Sequence, residues 1–197
     1  MVVVTTLQQA SEQLSVFRPR RKWYRRFVNR SAVALIMRET SAGIETLMIK
    51  RSERAGDPWS GHMAFPGGRA EKIDKNSLHT ATRETREEIG FDTDEHAQCL
   101  GRLSDISVPT FRGRKAMVIT PYLFSVDHVP ELTINYEVAE VIWVPLQYLA
   151  DTNNRGTMEW KIKNVPLTLP CYDYQQYRIW GLSLMMLDEL VKLTRDS

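Results

Sequence analysis

Gly67-Gly68-Arg69-Ala70-Glu71, followed after a short gap by Arg83-Glu84-Thr85-Arg86-Glu87-Glu88-Ile89-Gly90-Phe91, is the stretch that decides how this chain folds. From Asp74 to Ile89, Leu78, Ala81, Thr82, Thr85 and Ile89 recur at three- and four-residue intervals. This spacing predicts a helix with one buried stripe, and Gly90 stands where a C-cap belongs. At about 100° per residue, Glu84, Glu87 and Glu88 converge on one patch opposite that stripe. Carboxylates so close repel one another, and a hard divalent cation turns that repulsion into affinity, which makes Mg2+ or Mn2+ the natural candidate. An isolated acidic helix is more often a solvated face, here with Arg83 paired to Glu87. The glycine pair just upstream shifts the balance, because its backbone groups can approach a metal or a phosphate where a side chain would obstruct.

Outward from this stretch, the pattern upstream is that of strands. Ala32–Arg38, the turn signal Ser41-Ala42-Gly43 and Glu45–Arg51 predict a hairpin. Residues 55–69 hold Gly56, Pro58, Gly61, Pro66, Gly67 and Gly68 and read as a long functional loop. Downstream, strands are expected at Gln98–Ile106, Met117–Val126, Val138–Val144 and Met158–Val165, with a short helix from Pro145 through Leu149. Ile179–Leu193 reads as a terminal amphipathic helix whose first turn is anchored in the core by Trp180. Thr5–Phe17 has helical spacing (Leu7, Ala10, Leu14, Phe17) and is expected to be peripheral.

Length and composition bound the classes. At about 150 residues per domain, 197 residues make one domain with added arms, here read as an N-terminal helix and arm (1–30) before a single domain (31–197). A hydrophobic share of 43% with 25% charged residues excludes collagen-like and wholly disordered chains. The apolar run Ala32–Met37 is far short of the roughly 18 residues a membrane span needs, so no membrane partner is expected. Cys99 and Cys171 lack any metal or disulfide pattern and read as two buried thiols. With no secretory signal, they point to a cytoplasmic protein. Residues 18–30 carry seven Lys/Arg and no acid, whereas the rest of the chain has 19 basic against 24 acidic residues. That block could attract nucleic acid, but Trp23, Tyr24, Phe27 and Val28 interleave with its charges as in an arm packed on a domain, which is the favoured reading.

The acidic stretch resembles the signature of the Nudix hydrolases: Gly, five residues, Glu, seven residues, then Arg-Glu-U-x-Glu-Glu-x-Gly-U, where U is bulky and apolar. Here the series is Gly68, five residues, Asp74, eight residues, then Arg83 through Phe91. The Asp and the extra residue are similar to the coenzyme A pyrophosphatase branch. So are Leu47–Ser52 followed by Gly61-His62-Met63-Ala64-Phe65-Pro66-Gly67-Gly68, and Ile179-Trp180-Gly181-Leu182. One departure is Asp57, where that branch has an Arg; Arg54 is the basic residue at hand to replace it.

The resemblance implies an α/β Nudix fold, a mixed sheet sandwiched between helices (α/β/α). It also implies metal ligation by Glu84, Glu87 and Glu88 with the Gly68 carbonyl, and water attack on a nucleoside diphosphate derivative. Candidates for the carboxylate that accepts the water's proton are Glu84, Glu87, Glu137 and Glu140, with Glu140 preferred. Arg51 either meets a substrate phosphate or orients Glu84 or Glu87, Arg54 and Gly67 border the diphosphate, and Phe65 is either core or a base-stacking ring. His62 and His79 have no spacing partner and are read as non-ligands. The rival functions are a nucleoside triphosphate or RNA 5′-end pyrophosphohydrolase and a nucleic-acid-binding regulatory protein on the same fold. A homodimer is compatible with each.

Overall fold

Strand β1 (Asn29–Thr40) is the axis of the molecule. Its run Ala32–Met37 is apolar on both faces and buried on both, as a central strand must be. The computed structural model describes residues 6–56, 59–110, 115–162 and 165–194. β1 turns back at Ser41 and Ala42 onto β2 (Gly43–Arg51), pairing antiparallel from Met37↔Thr46 to Thr40↔Gly43. On its other edge it runs parallel to β7 (Met117–Val126) from Asn29↔Met117 to Arg38↔Val126. The sheet is therefore mixed.

Beyond Met37 and Thr46 the two strands of the hairpin separate, and the chain between residues 63 and 69 fills the gap. β3 (Met63–Ala64) pairs with Ile49 and Lys50 of β2, while β4 (Gly67–Arg69) pairs with Ser31, Ala32 and Val33 of β1. The segment read as a loop is thus partly stitched into the sheet, and the glycine pair owes its position to that stitching. Asp57 and Pro58 lie outside the described residues. β5 (Gln98–Arg102) and β6 (Ile106–Val108) pair with β7, and β8 (Val138–Pro145) pairs with β2.

Alternation along β1 divides the interior. Val33, Leu35 and Met37 enter the larger core with α1 (Leu7–Val16), α4 (Leu146–Ala150) and α5 (Gly181–Leu193). Ala34 and Ile36 enter the smaller one beneath α2 (Ser77–Ile89), where Ile89 and Phe91 are fully buried. Each such side chain contributes on the order of 2 kcal/mol of hydrophobic stabilisation. Helices cover both faces, as the resemblance implied. A short helix α3 (Thr93–His96) follows α2. Among the described residues no helix is long and apolar enough to cross a membrane.

Several expectations are corrected. α1 is not peripheral: Ala10 and Leu14 are buried in the larger core, and the Leu7 N–H donates to Glu39 Oε2 at 2.8 Å. α2 begins at Ser77 rather than Asp74, because Asn76 caps it by accepting from the His79 N–H at 2.9 Å. The strand expected over Gln98–Ile106 is two strands, β5 and β6, parted by Leu103, Ser104 and Asp105. Met158–Val165 and the start of the terminal helix are in fact a second sheet, β9 (Arg155–Ile162), β10 (Val165–Tyr174) and β11 (Tyr177–Trp180). Pro166 and Pro170 hid β10, since proline is tolerated only where its ladder hydrogen bond is dispensable. Cys171 is buried, but Cys99 is exposed.

The basic arm is bound to the domain along one side. The Lys22 N–H donates to the buried Asp105 carboxylate at 2.9 Å, Arg25 donates to Thr120 Oγ1 at 3.1 Å, and Tyr24 shares a 2.6 Å hydrogen bond with Ser107 Oγ. Trp23 and Phe27 face solvent.

Candidate active site

The site is organised by one guanidinium. Arg83 Nε donates to Asp74 Oδ1 at 3.0 Å, its two terminal nitrogens reach Glu84 Oε1 at 2.9 Å and Glu87 Oε2 at 3.0 Å, and Nη2 also donates to the Arg69 carbonyl at 3.1 Å. A planar fork with five donors suits such a task, and an ammonium would not. Asp74 is almost fully enclosed. It accepts further from the Glu71 N–H at 2.8 Å and Thr80 Oγ1 at 3.0 Å, and Arg83 above all holds its carboxyl at about 2, below the ordinary 3.8. The residue that departs from the Glu of the signature therefore locks the arginine in place.

Glu88 does not lie on the solvent side as the helical wheel suggested. It is 3% exposed and accepts a 2.8 Å hydrogen bond from the Gly67 N–H, which ties helix α2 to strand β4. Burial pushes its carboxyl up to about 8, helped by the charges of Glu84 and Glu137 and opposed by the Gly67 bond and Arg51. Burial also raises Glu84, against the lowering effect of Arg83, and Glu87 and Glu137 add to the rise. The charge of Glu137 thus acts on both Glu84 and Glu88, and that of Glu84 on Glu88. Oxygen donors crowded against their own repulsion fit a hard divalent ion by chemistry. Among the described residues, however, no three acidic, His or Cys side chains are gathered closely enough to hold one.

Both glycines are required by space. Gly67 has φ of +150°, and a Cβ there would overlap the Ala32 carbonyl oxygen and Val33 Cα. At Gly68 a Cβ would lie within the Glu84 carboxylate. The Gly68 carbonyl accepts from Ser31 Oγ, a contact 37 residues apart in the chain that no local pattern signals.

The other candidates separate clearly. Arg51 ends β2 beside the acids, and its charge acts on Glu88. Arg54 lies over the Tyr136 ring at 4.7 Å and 3.6 Å from Glu137 Oε1, at the rim of the acid group. Glu140 faces elsewhere: Lys50 Nζ donates to it at 3.0 Å and Tyr177 Oη at 2.5 Å, and these bonds, the tyrosine's first, lower its pKa. Of the two acids in Glu137-Val138-Ala139-Glu140, Glu137 is the one whose field reaches Glu84 and Glu88. Phe65 is 3% exposed inside the larger core and has no ring face to offer a substrate.

A mixed sheet that presents an Arg-bound acidic helix against a double-glycine strand defines a Nudix-type α/β protein. Residues 28–163 match the family described as NUDIX domain, and the chain belongs to that family of hydrolases. Its relatives lie where the sequence resemblance pointed. Over 169 residues it is 31% identical to a mitochondrial coenzyme A diphosphatase of Homo sapiens, covering 83% of this chain and 69% of that protein. It is 39% identical over 103 residues to an uncharacterised protein of Schizosaccharomyces pombe, covering 51% of this chain but 31% of that longer one. A Nudix hydrolase structure from Alicyclobacillus acidocaldarius superposes with a TM-score of 0.55 over 84% of this chain and 91% of that one, at 17% identity, and supports the fold.

Proposed function

We propose that this chain is a divalent-metal-dependent diphosphatase that hydrolyses coenzyme A or a closely related nucleotide diphosphate derivative. The observation that carries this reading is the Arg83 hub, which holds Glu84 and Glu87 beside the buried Glu88 and the glycine pair. The human relative's name adds coenzyme A as the first substrate to test.

Glu84, Glu87 and Glu88 with the Gly68 carbonyl would hold Mg2+ or Mn2+, which neutralises diphosphate charge and acidifies water. Arg51 and Arg54 take non-bridging phosphate oxygens, and Gly67 and Gly68 let the diphosphate approach the backbone closely. Water adds to one phosphorus as the bridging P–O bond breaks, and its proton passes to a carboxylate. We assign that role to Glu137, because Glu140 already accepts from Lys50 and Tyr177 and is a poor base. The products are a nucleoside monophosphate and the phosphorylated remainder.

The arm between residues 18 and 30 supports the reading of a packed segment, since Lys22, Tyr24 and Arg25 are engaged by the domain. The nucleic-acid alternatives are therefore not adopted. Cytoplasmic residence is our reading from cysteine usage, although the human relative is named as mitochondrial.

The test is incubation with Mg2+ and, separately, coenzyme A, ADP-ribose, a dinucleoside polyphosphate, a nucleoside triphosphate and 5′-triphosphorylated RNA, with products identified by mass. Cleavage of coenzyme A into two monophosphate-ended fragments is expected. Turnover of the triphosphates alone would replace this proposal with the pyrophosphohydrolase reading.

A further inference from the structure

Two tryptophans and a histidine meet outside both hydrophobic cores. The rings of Trp160 and Trp180 have centroids 4.5 Å apart, His62 lies 4.9 Å from Trp180 and 6.2 Å from Trp160, and the planes are inclined by 45° to 75°. None of the three belongs to either core, and all are only half-buried. This corrects the expectation that Trp180 anchors the terminal helix in the core. Partly open tryptophan and histidine rings that pack on one another offer an aromatic surface to a flat ligand.

The cluster's position says what could cover it. The Arg51 N–H donates to the His62 carbonyl at 3.0 Å, so His62 borders the residue whose charge acts on Glu88. β11 lies beside β3, and Ser183 Oγ donates to the Met63 carbonyl at 2.8 Å, which fixes Trp180 against His62. The His62 end of the cluster is therefore hydrogen-bonded, backbone to backbone, to the residue that carries the proposed phosphate-binding guanidinium.

We propose that Trp160, Trp180 and His62 form the stacking platform for the base of the nucleotide substrate. The inference rests on the diphosphatase reading and assigns the site its specificity for a base-bearing half. Stacking on an aromatic face needs no hydrogen-bond code, so the platform favours any purine nucleotide over a base-free phosphate.

The test compares AMP with ribose 5-phosphate as ligands of the full chain, followed by intrinsic tryptophan emission and by competitive inhibition of coenzyme A hydrolysis. AMP is expected to quench the emission and ribose 5-phosphate to leave it unchanged. In W160L the quenching should be lost, the advantage of AMP over ribose 5-phosphate should fall about tenfold, and KM should rise far more than kcat falls. W160F, which keeps a ring, should restore most of the advantage. Equal effects of AMP and ribose 5-phosphate on the wild-type protein would overturn the platform, as would an unchanged AMP advantage in W160L and, should that variant not fold, in H62L. Because quenching needs no turnover, it decides the platform even if no diphosphate is hydrolysed, an outcome that would sink the diphosphatase reading instead.

Discussion

The Gly67 amide donates a 2.8 Å hydrogen bond to Glu88 Oε2, so that a backbone group in the sheet and a carboxylate on the helix define each other's position. Gly67 can do this only because no side chain intrudes between β4 and β1. G67A should therefore destabilise the fold by about 3 kcal/mol or more, through overlap with Ala32 and Val33 and a disfavoured φ, as read by urea unfolding. G68A should instead displace Glu84 and lose activity out of proportion to stability.

Glu88 gives a pH dependence of known sign. Its folded pKa of about 8 lies above the ordinary 4.5, so the stability it confers is fully present below about pH 4.5 and is lost as pH rises through 8. E88Q, which keeps an acceptor for Gly67, should raise the melting temperature of metal-free protein at pH 8 and above, and change it little at pH 4. Added Mg2+ should stabilise the wild type more than the variant. Thermal scans with and without chelator check both.

Asp74 behaves in the opposite sense. Its folded pKa of about 2 lies below 3.8, so its contribution is present above about pH 4 and is lost as pH falls toward 2. D74N should cost on the order of 2 kcal/mol at neutral pH and flatten the acid limb of the stability curve. Activity should fall too, because Arg83 would lose its anchor.

Glu87 is more than half exposed and bonded along its own helix to Arg83. E87Q should leave the melting temperature nearly unchanged while lowering metal-dependent turnover by roughly 100-fold or more. Near-normal rates in this variant would remove it from the metal site.

The two acids of β8 and its approach should differ. E137Q is expected to lower kcat about 100-fold, consistent with loss of a general base, whereas E140Q should alter it by no more than a few-fold. The reverse ranking in steady-state kinetics would return the proton-accepting role to Glu140.

Much of the design was written in local pattern. The α2 stripe, the Gly90 cap, the β1–β2 hairpin and the run Met117–Val126 follow from periodicity and turn chemistry, which act between near neighbours in the chain. The acids Glu84, Glu87 and Glu88 and the glycine pair were legible for the same reason. What escaped was set by contacts across the chain. The strand β10 ran counter to its own prolines, α1 joined a core that its sequence did not reveal, and Glu88 turned inward to an amide 21 residues away. Glu137 and Glu140, three residues apart, were indistinguishable until β8 was placed beside β2 and β11 supplied Tyr177. Local spacing can say which side of a helix a carboxylate occupies. Only the packed structure decides whether that side meets water, a neighbouring charge or a buried N–H, because burial and field depend on groups brought together by the fold.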